Sequence, residues 1–341
     1  ELGLGPRGFE FPGGLVTGQK LSYLLEALTL RSAGAANFDE LPVPFRAVAT
    51  DIDTGERVVM WEDNLAEAMR ASMAVPGAFT PVSRDGMTLV DGGLVCNLPV
   101  DLVRSMGADV VIAVDISPQA GASRETASAA MILVQSLYLL MDQNAQQQRE
   151  LLGPADVLVV PDLGDMSPAD FRAVPSAIDA GEEGARLAID ELARLSVCEE
   201  DYETFLERQR RSTAQLLGTA VVERIQISGV SRADPRVIAG VVRTEVGAPL
   251  RLDVLRSDLD RIYELGDFEH VSFRPAATDS TRTLVIDVKE KSWGPHFIRI
   301  GLSAEADFQG KSDFIALTNF LTVRVNPHGG EWRTGVRFGA E

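Results

Sequence analysis

One carboxylate stands out by its setting. Asp91 lies between the apolar Met87, Leu89 and Val90 and two consecutive glycines, Gly92 and Gly93. Such an apolar run reads as a buried strand, and paired glycines let the backbone turn tightly with φ > 0. A carboxylate at the end of a buried strand, on a glycine turn, can sit in a low-dielectric site and act as a base. Asp-Gly is equally a common turn dipeptide whose Asp hydrogen-bonds only its own turn. The other chemistry-bearing residues are sparse. His270, His296 and His328 all lie far downstream of Asp91. No pair of them has metal-ligand spacing, and no carboxylate cluster suggests a metal site. No Gly-x-Ser-x-Gly turn is present; Gly229-Val230-Ser231-Arg232 comes closest, with Ala233 in place of the final glycine.

The segments around Asp91 tip the balance toward chemistry. Phe45 to Asp51 is extended, Thr54-Gly55 is a turn, and Val58 to Trp61 is a second apolar strand. Leu65 to Ser72 has helical spacing and stops at Val75-Pro76-Gly77. Downstream, Asn97-Leu98-Pro99-Val100 opens a short helix to Met106, followed by a nearly continuous apolar strand from Ala108 to Asp115. This order, TDxxTG…ASxAxPxxFxPV…DGGxxxNxP…MGADxVIAVD, resembles the C-terminal half of the patatin-like phospholipases, over roughly Leu15 to Leu195.

That resemblance implies a serine–aspartate catalytic dyad in which Asp91 matches the aspartate of the Asp-Gly-Gly motif. A serine hydroxyl is a poor nucleophile unless a base takes its proton as it attacks. Here the aspartate does so directly, with no histidine between, while backbone N–H groups hold the oxyanion. Gly92 and Gly93 would shape the turn, and Asn97 and Pro99 would fix the following helix. Thr50 and Asp51 are the next candidates to hydrogen-bond the site. The family's Gly-x-Ser-x-Gly turn and glycine-rich oxyanion loop would both precede Glu1. The expectation is a fragment that begins after the nucleophile and is inert alone. No cofactor or metal is expected.

Composition bounds the partners. At 341 residues, 45% hydrophobic and 24% charged, the chain is long enough for two or more globular domains. Its net charge of −18 argues against nucleic acid, whose phosphates select basic faces, and disfavours adsorption to anionic lipid. A lipid substrate would have to be held by an apolar cleft. Cys96 and Cys198 make no disulfide framework; Cys96 reads as a small packing residue beside the active-site turn. Ala127 to Leu140 reads as a surface helix whose Met131, Leu133, Leu137, Leu140 and Met141 serve core packing, an acyl cleft or a dimer contact. A buried strand, Ala155 to Pro161, and an amphipathic helix, Ile178 to Leu195, complete this part.

Beyond Leu195 the character changes. Glu199 to Leu217 is highly charged and reads as a linking helix. Then come a strand (Val221 to Ile227), a helix (Pro235 to Val242), a Gly247-Ala248-Pro249-Leu250 turn, a helix (Leu252 to Leu265) and strands at Glu269 to Arg274 and Leu284 to Lys289. With IQISGV, GAPL, YELGDFEHV and LVIDVKEK, this β-α-α-β-β unit resembles a polypeptide-transport-associated (POTRA) domain. Such domains sit in the periplasm before outer-membrane barrels and bind other chains partly by strand addition. The tail alternates: Ile298, Ile300, Leu302, Ala304, Ala306 and Phe308 share one face, Ile315, Leu317, Leu321, Val323 and Val325 form a second stripe broken by Asn319, and Trp332, Thr334, Val336, Phe338 and Ala340 form a third. Alternation of this kind marks outer-membrane strands, but a soluble sheet shows it too, and the POTRA-like unit before it is what favours the membrane.

The organisation expected is therefore α/β overall. Residues 1–198 form the C-terminal part of a patatin-like three-layer α/β hydrolase domain, 199–219 a helical linker, 220–291 a small α+β POTRA-like domain, and 292–341 the start of an outer-membrane β-barrel. That order resembles bacterial patatin-like phospholipases that carry their own barrel, grouped with type V autotransporters. It implies a phospholipid or other lipid-ester substrate, association with the outer membrane, a homodimer as a plausible state, and no nucleic-acid partner. The alternative is a degenerate hydrolase serving as a secretion or assembly module.

Overall fold

The computed structural model describes residues 2–5, 8–10, 14, 16–32, 35–117, 129–164, 166, 171–216, 221–278, 281–291, 294, 296–306, 312–323 and 330–339. Two short strands, β1 (Leu2–Gly5) and β2 (Gly8–Glu10), precede helix α1 (Gln19–Thr29). A four-stranded antiparallel sheet follows, formed by β3 (Ala47–Asp51), β4 (Arg57–Met60), β5 (Val82–Arg84) and β6 (Met87–Asp91) in the order β4-β3-β6-β5. All five residues of β3 are buried, as suits a central strand.

Helix α2 (Leu65–Ser72) connects β4 to β5 and covers this sheet. Its start is fixed by Asn64, whose side chain accepts the Glu67 N–H at 3.1 Å, and its end by the turn at Val75-Pro76-Gly77. Ala68 and Ala71 of α2 pack with Phe38, Leu41, Ala47, Ala49, Met60 and Leu89 to make the core.

After β6 come α3 (Val100–Ser105), β7 (Ile112–Val114), α4 (Ala129–Arg149) and β8 (Val157–Val159). β7 and β8 are parallel. The sequence suggests a strand from Ala108 to Asp115 apolar on both faces; the ladder holds three residues, and only Ala113 points into the core of Leu98, Val100, Val111 and Ala145. Ile112 and Val114 are each 53% exposed, because the second face has no covering layer among the described residues. α4 runs on to Arg149, well past the expected Leu140, while Ala127 lies outside the described residues. The helix expected from Ile178 to Leu195 is two, α5 (Val174–Leu187), with a proline in its first turn, and α6 (Ile189–Ala193), broken at Ala188. Helix α7 (Glu199–Leu216) follows; Leu217 lies outside the described residues.

A second sheet contains β9 (Arg224–Ser228), β10 (Phe268–Thr278) and β11 (Thr281–Glu290), in the order β10-β11-β9, with β9 parallel to β11. Helices α8 (Pro235–Val241) and α9 (Leu252–Glu264) supply its core through Ile238, Leu255, Leu259 and Ile262, against Phe268, Val271, Leu284 and Ile286. Tyr23 of α1 belongs to the same core cluster. Asp258, fully buried, accepts the N–H groups of Arg243 and Thr244 at 2.7 and 2.8 Å and so pins the loop between α8 and α9. Glu290 does the same for residues 231–233, accepting three backbone N–H groups.

The tail strands β12 (His296–Ala306), β13 (Ser312–Thr322) and β14 (Trp332–Gly339) form an antiparallel sheet that β1 and β2 extend, in the order β14-β13-β12-β1-β2. The first residues of the chain thus pair with the tail, Leu2 opposite Ile298, and not with the sheet that ends in Asp91. Asn319, the polar break in the second stripe, faces Gly335 in register; a Cβ there would meet Asn319 Oδ1 at 2.6 Å, so the glycine makes room for the amide. Phe308, Val325, His328 and Ala340 lie outside the described residues. Among the described residues no helix is long and apolar enough to cross a membrane.

Candidate active site

Asp91 is the last residue of β6, opposite Ala49 of β3. Its N–H donates to Ala74 O at 3.0 Å, tying the strand end to the loop after α2. Its carbonyl accepts the Thr50 hydroxyl at 2.9 Å, and its Oδ1 accepts the Gly93 N–H at 2.8 Å. The carboxyl is therefore held by its own turn, with the main chain fixed on both sides. Burial raises its pKa, and the Gly93 N–H only partly offsets this. A carboxylate so shifted is a stronger base than a solvated one.

The two glycines earn their place by space and not by handedness. The sequence suggests φ > 0, but neither is among the positive-φ glycines; residues 92–94 form a single 3-10 turn. A Cβ on Gly92 would lie 2.2 Å from Val48 O, inside the neighbouring strand. A Cβ on Gly93 would meet Met141 Cε at 2.7 Å, Asn97 Oδ1 at 2.8 Å and Asp91 Oδ1 at 3.0 Å. The chain passes so close to β3 and α4 that only hydrogen fits.

Of the supporting candidates, Thr50 and Asn97 join the site and Asp51 does not. Asp51 accepts from Thr54 Oγ1 at 2.9 Å and from the N–H groups of Asp53 and Thr88 at 3.3 Å, so it secures the β3–β4 turn. Asn97 donates through Nδ2 to Ser117 Oγ at 2.9 Å, just beyond β7. Pro99 caps the start of α3 without a side-chain bond.

The sequence did not single out the partners that α4 supplies. Asn144 accepts the Asn97 N–H at 2.8 Å and donates to Gly93 O at 2.9 Å and Leu94 O at 3.3 Å. Arg149 pairs with Asp115, which accepts the Ser117 N–H at 2.9 Å. The network Asn97–Ser117–Asp115–Arg149 links the turn after Asp91 to the C-terminal end of α4. The available signal was the polar stretch from Asp142 to Arg149 at the end of an otherwise apolar helix.

The remaining nucleophile and histidine candidates are occupied elsewhere. Cys96 is buried, its thiol raised by burial, and its Sγ lies 3.5 Å from Arg57 Nη1. Ser231 Oγ donates to Glu290 at 2.9 Å in the second sheet. His270 belongs to β10, where burial, with Arg70 and Lys289 nearby, lowers its pKa to about 4. His296 lies within 3.1 Å of Thr322 Oγ1 in the tail sheet.

Known proteins share these segments. Residues 6–104 match the family described as "Patatin-like phospholipase", and residues 220–291 match POTRA, described as "Surface antigen variable number repeat". The chain joins a patatin-like phospholipase segment to a POTRA segment. Asp91 and its glycines fall inside the patatin-like segment.

An uncharacterized NTE family protein of Mycobacterium tuberculosis is 36% identical over 118 residues, 33% of this chain and 33% of that protein. Patatin-like phospholipase domain-containing protein 7 of Mus musculus is 42% identical over 80 residues, 23% of this chain and 6% of that protein. Patatin-like phospholipase domain-containing protein 6 of Homo sapiens is 41% identical over 83 residues, 24% of this chain and 6% of that protein. The chain therefore spans a third or less of the curated relatives it matches. The crystal structure of BamA from Haemophilus ducreyi lacking POTRA domains 1-3 aligns with 35% of this chain and 22% of that one, at 16% identity and a TM-score of 0.26, too low to bear on the fold.

Proposed function

We propose that the protein is a lipid acyl hydrolase in which Asp91 is the general base of a Ser-Asp dyad. The observation that carries this reading is a single carboxylate at the end of a buried strand, raised in pKa by burial and oriented by the Gly93 N–H, within the segment that matches the patatin-like phospholipases. The serine Oγ attacks the ester carbonyl while Asp91 takes its proton. The acyl group passes to the serine, and the proton goes to the departing alcohol. Water then attacks the acyl-enzyme with Asp91 again as base, releasing a fatty acid and the free serine.

The serine belongs to a Gly-x-Ser-x-Gly turn that these 341 residues do not contain, so by themselves they should leave lipid esters intact. The exposed face of β7, with Ile112 and Val114, and the neighbouring Ile116 offers an apolar surface for the part of a hydrolase that carries such a turn. The decisive experiment is Asp91→Asn in a protein that includes the serine turn. Loss of p-nitrophenyl ester hydrolysis by three orders of magnitude or more, with unchanged circular dichroism, is expected; retained activity would remove Asp91 from the mechanism.

The domain plan we favour is hydrolase 1–198, linker 199–219, POTRA 220–291 and barrel start 292–341. The POTRA match and the exposed apolar side chains of Ile300, Trp332, Val336 and Phe338 on the tail strands support an outer-membrane location with the POTRA segment in the periplasm. The hydrolase would then be carried at, or released from, the cell surface.

A further inference from the structure

A cavity of about 420 Å³ lies between the patatin-like and POTRA segments, bounded by α1, α2 and β5 on one side and β10 and β11 on the other. Its volume falls within the range of small-molecule sites. Four polar side chains that line it are at least nine-tenths buried: Ser22, Glu26, Arg70 and Thr80 are 4, 5, 5 and 7% exposed. Each leaves an atom without a hydrogen-bond partner among the described residues, namely Ser22 Oγ, Glu26 Oε2, Arg70 Nη1 and Thr80 Oγ1. One such orphan is a defect; four around one cavity describe a receptor, because each unmet buried group costs stability.

The sign of a ligand that would fit follows from the groups. Arg70 is a buried cation whose Nη2 donates to Thr17 O at 3.3 Å and Thr80 O at 3.0 Å, and whose guanidinium lies 5.1 Å from the Phe79 ring centroid. No carboxylate among the described residues pairs with it. Other lining ions are matched: Lys289 with Glu269 at 3.4 Å, and Arg274 with Asp287 at 2.9 Å. Burial pushes Glu26 up to about 9 and shifts Glu67 toward its neutral form, so Glu26 holds a proton to donate at neutral pH. Arg70 and the two hydroxyls donate as well. The seat is built for the guanidinium too: Gly18, at φ 72°, leaves room that a Cβ would close to 2.8 Å from Arg70 Nε.

We propose that this cavity binds a small oxyanion, a phosphate or carboxylate group carried on a larger molecule, received by Arg70 together with Ser22, Thr80 and Glu26. A buried cation without a counter-ion is costly, and an oxyanion that accepts several convergent N–H and O–H groups removes that cost. The site is separate from the turn that holds Asp91 and does not depend on the hydrolase assignment.

The test is calorimetric titration of the 341-residue chain at pH 7 with inorganic phosphate and, separately, with acetate. Saturable binding of at least one of them at a single site is expected, and the preferred probe tells which oxyanion the cavity takes. Arg70→Met should weaken that binding at least tenfold. The double variant Ser22→Ala/Thr80→Val should weaken it at least fivefold with unchanged circular dichroism. If Arg70→Met does not fold, the double variant alone decides. Absence of saturable binding by both anions, or equal binding by the double variant and the parent chain, overturns the proposal.

Discussion

Gln19 grips the backbone of Val271 from both sides: its amide nitrogen donates to Val271 O while its Oε1 accepts the Val271 N–H at 2.9 Å, 252 residues away in sequence. A side-chain amide here satisfies both backbone groups of one residue of β10, as an adjoining strand would. Gln19 is 5% exposed, so neither bond can be replaced cheaply by water. Gln19→Ala should cost about 2 kcal/mol of stability by chemical denaturation, since it orphans a buried donor and a buried acceptor together. Gln19→Glu should make stability fall as pH rises, because only the protonated carboxyl can donate to Val271 O.

The turn after Asp91 tolerates no side chain at its first glycine. A methyl group on Gly92 would have to displace the Val48 carbonyl, which belongs to the central strand of the sheet. Gly92→Ala should lower stability by about 3 kcal/mol or more in denaturant melts. Gly77→Ala offers the contrast. Its Cβ would meet nothing within 4 Å, but at φ 80° it pays for a strained backbone alone, so a smaller loss is expected.

Asn144 connects α4 to the turn after Asp91, and its removal should be felt at Asp91. Asn144→Ala frees Gly93 O, Leu94 O and the Asn97 N–H at once. The Gly93 N–H that orients the Asp91 carboxylate then sits on a looser turn. In a protein that includes the serine turn, kcat should fall tenfold or more with little change in KM, as expected when only the reacting geometry is disturbed. Equal losses in kcat for Asn144→Ala and for a solvent-facing variant on the next residue of α4, Gln143→Ala, would argue against that coupling.

Two buried glutamates should shape stability in opposite directions of pH. Burial raises Glu26 to about 9, reinforced by Asp287 and Glu67 and opposed by the Phe273 N–H. Its folded form prefers the proton, so its contribution is complete below about pH 4.5 and is lost as pH rises through 9. Glu290 shifts the other way: despite burial, its bonds from Ser231, Arg232 and Ala233 bring it to about 2. Its contribution is present above pH 4.5 and is lost as pH falls toward 2. Denaturation midpoints measured from pH 2 to 10 should therefore decline at both ends. Glu26→Gln should flatten the alkaline limb, and Glu290→Gln the acid limb.

Local pattern carried much of this architecture. Leu65–Ser72 is a helix with the limits its spacing and the Val75-Pro76-Gly77 stop suggest, because both signals act within a few residues. The strand ending at Asp91 and the helix-strand order of residues 221–290 follow the same logic. What local pattern could not convey is distance in the chain. Asn144 reaches the turn after Asp91 from about fifty residues away and Arg149 reaches Asp115, and the polar end of α4 that carries both does not say which partners they meet. The glycine pair was legible as a turn, but its reason, the Val48 carbonyl, is a tertiary fact. The apolar run at Ile112 to Val114 reads as a buried strand, while the described residues cover only one of its faces. Leu2–Gly5 could not be assigned to the tail sheet, since its partner is β12 at the far end of the sequence.

Tyr23 lies in the hydrophobic core of the POTRA segment although α1 precedes the whole Asp91 sheet in the chain. The helix α7 is therefore a tether and not the sole bond between the two halves. Scission within α7 would leave two pieces clasped through α1, so liberating the upstream piece requires a second event that withdraws Tyr23 from its socket.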